Sequence, residues 1–201
     1  MSKAKTKIQQ LTVTAILSAI VIIVSFLPLK TMGLEISFAM VPVAVGAILY
    51  GPWAGAILGG VFGIVSFLQC FGYSAFGVLI LEEDFFLTML VCIPTRILAG
   101  LLTGLIFKGI HSFKKKTVKE IAYPVSSLLA PLLNTIFFMG TLVLFFFKGE
   151  TLQGFASGLG TFNPFLFIIL FVGINGLVEI IAGFVVAYPV SRTLAKYIKK
   201  M

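Results

Sequence analysis

Arg96 stands in the middle of an apolar stretch, LVCIPTRILAGLLTG at residues 90–104, where a charged side chain is unexpected. Three more polar residues, Asn134, Asn175 and Glu179, occupy comparable positions in later apolar stretches. A guanidinium group can bind a carboxylate or phosphate through two parallel hydrogen bonds. Two roles are therefore open: the four residues line a polar substrate pocket, or Arg96 and Glu179 form a buried ion pair that only fixes helix packing.

The composition indicates that the elements carrying these residues lie in a lipid bilayer. Hydrophobic residues make up 59% of the 201-residue chain and charged residues 11%, whereas roughly a quarter of a soluble domain is charged. The mean hydropathy is +1.13. Because so apolar a chain cannot cover its surface with polar groups in water, we predict an all-α membrane protein with one integral membrane domain, residues 1–201.

Six apolar segments are candidates for membrane-spanning helices, which need about 20 residues each. The predicted spans are residues 8–29, 36–50, 52–69, 85–107, 121–147 and 164–191. The second and third are short and are separated by the turn signal YGPW. The first follows three lysines but is longer than the apolar core of a signal peptide, so we expect a retained membrane helix.

The basic residues predict the orientation of the six spans. An even number of spans places both termini on one side, and that side holds all 15 basic residues except Lys30, Arg96 and Lys148. Because Lys and Arg are retained on the cytoplasmic side, both termini are predicted to be cytoplasmic. The net charge of +8 reflects this topology and attraction to anionic lipid. Basic and aromatic residues do not alternate outside the predicted spans, so the sequence gives no indication of nucleic-acid binding.

In this topology the four polar residues lie at similar depths. Arg96 is about eleven residues into the fourth span, roughly 16 Å below its outer end at 1.5 Å per residue. Asn134 and Asn175 reach comparable depths in the fifth and sixth spans, and Glu179 lies one turn from Asn175 on the same face. A charge at this depth costs about 3 kcal/mol, so we expect these side chains to face the bundle interior.

The two long outer connections are candidates for covering such a pocket. Residues 68–86 contain Gln69, Tyr73 and Phe76, which are available for ligand contacts, and residues 148–163 end at Asn163. Loops that close over a ligand exclude water from it. The alternative is that both are ordinary solvent-exposed connections.

The sequence lacks the common motifs of ATPases, zinc proteases and serine hydrolases. The sequence contains no P-loop, H-E-x-x-H or G-x-S-x-G motif. Its one histidine and two cysteines, Cys70 and Cys92, have no metal-site spacing. We therefore expect no enzyme activity, cofactor or metal.

Glycines recur every fourth residue from Gly51 to Gly63. This spacing favours close helix packing within the chain, and the alternative is an interface with a partner protein.

The chain resembles the substrate-binding S component of energy-coupling factor (ECF) vitamin transporters, in the branch that includes pantothenate, folate and riboflavin carriers. The resemblance covers nearly the whole chain and is carried by five stretches in order: TAILSA, MVPVAVGAILYGPWAGAILGG, IPTRILAGLLTGLIF, APLLNTIFFMG and FVGINGLVEIIAG. The first contains Ala15 and Ala19 as A-x-x-x-A.

The resemblance implies a vitamin importer in the plasma membrane of a prokaryote. An S component captures a water-soluble vitamin from outside, docks through its first helix onto a transmembrane coupling (T) protein, and depends on two cytoplasmic ATPases for release inside. It implies a docking role for Ala15 and Ala19. Pocket candidates are Gln69, Tyr73, Arg96, Asn134, Asn163, Asn175 and Glu179.

The small polar layer with one arginine favours a compact anionic vitamin, pantothenate, over riboflavin, folate or a pyridoxine-type vitamin. Two other classes stay open. A stand-alone secondary transporter would be driven by protons through Glu179, and a packing or assembly protein would bind no ligand.

Overall fold

The computed structural model describes residues 3–27 and 37–198, except for the side chains of residues 3–6, 174, 175 and 198. Every regular element in these ranges is helical. In chain order the helices are α1 Lys3–Ser25, α2 Met40–Tyr50, α3 Pro52–Gln69, α4 Ala75–Glu83, α5 Phe85–His111, α6 Lys116–Phe146, α7 Glu150–Gly158, α8 Pro164–Ala182 and α9 Tyr188–Ile198, with a π-helical turn, Gly183–Ala187, between α8 and α9.

Five helices within the described ranges are long and apolar enough to cross a membrane, against the six spans predicted. They are Lys7–Ser25, Pro52–Gln69, Phe85–His111, Lys116–Phe146 and Gly176–Tyr197. The predicted span 36–50 contains only α2, whose 11 residues extend about 16 Å and fall short of a hydrocarbon core about 30 Å thick. Six spans and cytoplasmic termini thus stay predictions.

The last predicted span, residues 164–191, is broken near its middle. Gly173 has φ 40° and ψ −125°, a conformation that is not helical and that favours glycine because it has no Cβ. The break separates a short apolar helix, Pro164–Gly173, from the spanning helix Gly176–Tyr197. Glu179 is therefore carried by the long segment that follows the break.

Both long connections predicted from the sequence contain a helix. The side chain of Ser74 caps α4 by accepting a hydrogen bond from the backbone N–H of Gly77 at 3.3 Å. The two connections touch through aromatic rings, since Phe76 of α4 lies edge-on to Phe155 of α7 with centroids 5.7 Å apart. We call the end of the bundle that carries α4 and α7 the α4 end.

The most extensive helix–helix contact joins α3 and α5, and the glycine repeat makes it possible. A Cβ at Gly55 would lie 2.2 Å from the carbonyl oxygen of Gly100, and a Cβ at Gly59 would lie 2.2 Å from that of Arg96. The predicted role of this repeat in close packing within the chain is confirmed. It also sets the position of the α5 backbone at Arg96.

We expect Gly59→Ala to destabilise the protein relative to Gly60→Ala. Both changes raise helix propensity equally, but only Gly59 faces the α5 backbone. A Cβ at Gly60 meets the side chain of Ile97 at an ordinary 3.5 Å. Overpacking of this kind costs about 1–3 kcal/mol, so the melting temperature in detergent should fall for Gly59→Ala alone. Equal melting temperatures for the two variants would contradict this packing.

Candidate functional site

Two adjoining cavities lie toward the α4 end, between the spanning helices. The first has a volume of about 100 Å³, and α4 covers it through Phe76, Gly77 and Ile80. The second, about 80 Å³, lies between α5, α6 and α8. The two cavities share four lining residues: Ser37, Phe62, Arg96 and Phe138. Ligand pockets for drug-sized molecules measure about 300–1,000 Å³, so this site suits a small ligand.

Arg96 forms part of the wall between the two cavities. Its guanidinium carbon lies 5.0 Å from the ring centre of Phe62 and 4.4 Å from that of Phe138, so the cation is held between two aromatic rings. Its Nη1 donates to the carbonyl oxygens of Val91 and Cys92, both at 3.2 Å. The side chain is only 6% exposed.

The charge of Arg96 has no direct counter-ion in the part of the chain that the structure describes. No carboxylate oxygen, including those of Glu179, lies within 4.0 Å of its guanidinium nitrogens, and its buried Nε has no hydrogen-bond partner. Arg96 and Glu179 attract each other only over a longer distance. The direct ion pair considered from the sequence is therefore not formed, because each side chain is held by other groups.

Glu179 is held by the backbone that leads into α2. Its Oε1 accepts a hydrogen bond from the backbone N–H of Ser37 at 2.8 Å, across 142 residues of sequence. Both Glu179 and Ser37 line the second cavity. This contact fixes the start of α2 against α8. It places a carboxylate on the cavity wall, and no described lysine or arginine lies within 4.0 Å of it.

Two amide side chains that the sequence analysis named as pocket candidates line the cavities. Gln69 is buried at the end of α3 and lines the first cavity, and its Nε2 donates to the carbonyl oxygen of Ser25 at 2.6 Å. Asn134 is buried on α6 and lines the second cavity. Its buried Oδ1 has no hydrogen-bond partner among the described residues.

Three other predicted pocket residues are not seen on the cavity walls. Tyr73 is 41% exposed, and its hydroxyl donates to the carbonyl oxygen of Phe26 at 2.9 Å. Asn163 is exposed and caps α8, since its Oδ1 accepts from the backbone N–H of Phe165 at 3.0 Å. The side chain of Asn175 is not among those that the structure describes, so its role as a pocket residue stays a prediction.

The cap at Asn163 gives this residue a structural role that can be tested. We expect Asn163→Ala to lower the unfolding free energy by about 1 kcal/mol, because the first turn of α8 loses its acceptor. Asn163→Asp should retain the stability, since a carboxylate caps equally well. Melting curves in detergent compare the two variants. Full stability of Asn163→Ala would show that the cap contributes nothing.

Sequence reasoning missed the aromatic rings and several small polar groups of the site. Phe62 and Phe138 could not be distinguished from the rest of the 21 phenylalanines of the chain. The first cavity is also lined by Ser25, Ser37, Ser66 and Ser74 and by Cys70 and Cys92. Cys92 lies one turn before Arg96, and that spacing was the available signal.

The cavity residues offer binding groups of mixed chemistry. A cation, amides, hydroxyls and aromatic rings surround the space, and this combination suits a small polar molecule with a negative charge. Within residues 3–27 and 37–198, no three side chains of histidine, cysteine, aspartate or glutamate come together as a metal site.

The family model for the ECF transporter substrate-specific component matches residues 9–191. The chain therefore belongs to this family of transporter substrate-binding proteins, which take up vitamins and are not enzymes. It is a multi-pass protein of the prokaryotic plasma membrane. Members of the family bind water-soluble vitamins and work with a T protein and ATPase subunits.

Two relatives extend this comparison. The chain is 27% identical to the pantothenate transporter PanT of Leuconostoc mesenteroides subsp. mesenteroides over 203 aligned positions, which cover 96% of this chain and 95% of the relative. It is also similar to the solved structure of ThiT from Listeria monocytogenes, with a TM-score of 0.59 and 19% identity, over 95% of this chain and 97% of that one. The second similarity shows a shared fold.

Proposed function

We propose that this S component binds pantothenate and that Arg96 holds its carboxylate. The observation that carries the proposal is a buried guanidinium on the wall shared by both cavities, with no carboxylate in contact among the residues that the structure describes. A buried charge without a counter-ion is costly, by several kcal/mol. A ligand carboxylate repays that cost when it binds, whereas a neutral ligand does not.

The rest of the site matches the rest of pantothenate. The vitamin carries an amide and two hydroxyl groups besides its carboxylate, and these need acceptors and donors on the cavity walls. Asn134 lines the second cavity, and its buried Oδ1 has no hydrogen-bond partner among the described residues. Four serines line the first cavity: Ser25, Ser37, Ser66 and Ser74. Similarity to PanT along almost the whole chain supports the same substrate.

Transport in this proposal needs partners, because the sequence holds no nucleotide-binding motif. A transmembrane T protein and two ATPases supply the energy, and the chain crosses the membrane six times with both termini in the cytoplasm. Ala15 and Ala19 are both exposed on α1, one turn apart. A small-residue face of this kind allows a partner helix to approach closely.

Calorimetry on the purified protein in detergent tests the substrate assignment. We expect saturable binding of pantothenate and much weaker binding of pantothenol, in which a hydroxymethyl group replaces the carboxylate. Loss of a buried charge-assisted contact costs about 2–5 kcal/mol, equivalent to a Kd ratio of roughly 30 or more. Equal affinity for the two compounds, or tighter binding of riboflavin, folate or a pyridoxine-type vitamin, would contradict the proposal.

A further inference from the structure

A second concave surface lies at the opposite end of the bundle from α4, outside the vitamin site. We call it the basic groove and define it by Ile48, Leu49, Phe107, Lys108, His111 and Ser112. It has a volume of about 360 Å³ and is open on one side. It lies where the end of α2 meets the end of α5, on the side of the protein that carries the connection between α5 and α6.

The floor of the basic groove is apolar and rigid. Ile48 and Phe107 are buried and belong to one hydrophobic cluster with Tyr123. The ring of His111 stacks on Phe107 with centroids 5.1 Å apart and planes 18° apart, and it lies edge-on to Tyr123. The walls are thus held in place by side chains from α2, α5 and α6.

The rim of the basic groove carries positive charge. Lys108 lines the groove. Three exposed lysines follow in the sequence, Lys114 and Lys115 between α5 and α6 and Lys116 at the start of α6. None of the described residues that line the groove is acidic. The nearest acidic residue in sequence to this lysine run, Glu120, forms an ion pair with Arg192 at 2.9 Å and so does not neutralise it.

We propose that the basic groove binds one anionic phospholipid. An acyl chain packs on Ile48, Leu49 and Phe107, and the phosphate lies against Lys108 and the lysines that follow it. The groove fits this occupant because it joins an apolar floor to a cationic rim at the end of a membrane-spanning helix. A free phosphate ion would leave the apolar floor unused. Basic pockets between membrane helices bind anionic headgroups in this way.

The proposed lipid site is independent of the vitamin site. None of its lining residues lines either cavity toward the α4 end. A bound lipid would bridge the turn between α2 and α3 and the end of α5. Lipid composition should therefore change the properties of this end of the bundle without changing the residues that contact the vitamin.

The chain contains its own reporter for this site. Trp53 is the only tryptophan, it is 77% exposed, and it lies two residues after Gly51, which also lines the groove. The full chain would be reconstituted into phosphatidylcholine vesicles that contain increasing fractions of phosphatidylglycerol with brominated acyl chains. Bromine quenches tryptophan fluorescence on contact, so quenching of Trp53 measures the occupancy of nearby lipid positions.

We expect brominated phosphatidylglycerol to quench Trp53 at lower mole fractions than brominated phosphatidylcholine. Lys108→Gln should raise the fraction of the anionic lipid needed for half-maximal quenching about fivefold, given the usual contribution of one lysine near an anionic headgroup. Lys196→Gln removes the same charge at the same end of the bundle, on α9 and outside the groove, and should leave the fraction unchanged.

Two outcomes would overturn the proposal. Equal quenching by the two brominated lipids would show that the groove does not select an anionic lipid. A protein partner would then be the alternative occupant of the groove. A similar loss for Lys108→Gln and Lys196→Gln would show that only general surface charge attracts the lipid. Neither outcome bears on pantothenate binding, which the same protein preparation would show by calorimetry.

Discussion

Arg96→Gln should weaken pantothenate binding by roughly 30-fold or more and leave the weak binding of pantothenol nearly unchanged. The expected loss follows from removing one partner of a desolvated charge pair, which costs about 2–5 kcal/mol. Pantothenol has no carboxylate, so it has nothing to lose at this position. Calorimetric titration of both compounds against both proteins gives the four affinities that isolate the contribution of the charge.

The stability of the unliganded variant separates this role from a purely structural one. If Arg96 served only to fix packing through its charge, Arg96→Gln would remove a stabilising group and lower the melting temperature strongly. In the structure its charge is buried with no carboxylate within 4.0 Å among the described residues. We therefore expect little change without ligand and a reduced upward shift when pantothenate is added. A large loss without ligand, together with unchanged affinity, would contradict the proposed role.

Ala15→Trp and Ala19→Trp should abolish vitamin uptake while leaving pantothenate affinity intact. Both alanines are exposed on α1 and line neither cavity. A bulky ring there would keep a partner helix at a distance and remove the close contact that small residues permit. Uptake would be measured in proteoliposomes that contain the chain, its T protein and the ATPases with enclosed ATP, and affinity on the purified chain.

A matched control and a competing mechanism sharpen that test. Leu144 is 76% exposed on α6, so Leu144→Trp adds a similar ring to a different lipid-facing surface and should leave uptake intact. A proton-driven transporter would behave differently: the chain alone would support uptake, and Glu179→Gln or collapse of the proton gradient would abolish it. Uptake by the chain alone would contradict the partner-dependent mechanism.

The sequence predicts similar depths for the polar residues, because position along a spanning helix converts directly into depth. In the structure Arg96, Asn134 and Glu179 line one cavity. Their pairing was not predictable, since it depends on rotamers and on tertiary contacts. Glu179 is engaged by the backbone of Ser37, a partner 142 residues away that no pattern indicates.

For the fold too, some features were predictable from the sequence and others were not. The glycine repeat predicted close helix packing, which the structure shows between α3 and α5, because spacing by four residues places the glycines on one helix face. The break at Gly173 gave no comparable signal, since a glycine inside an apolar stretch is compatible with an unbroken membrane helix. The helices α4 and α7 were missed because each has only nine residues, too few for a clear periodic pattern.

Mass spectrometry of the small molecules released from the purified, detergent-solubilised protein tests the central claim most directly. The protein would be produced in a medium that contains several vitamins and then denatured to release its ligand. We predict pantothenate in an amount close to one molecule per chain, and its loss from the Arg96→Gln variant. Recovery of riboflavin, which has no carboxylate, or of no vitamin at all, would contradict the assignment of Arg96 as the anchor of an anionic substrate.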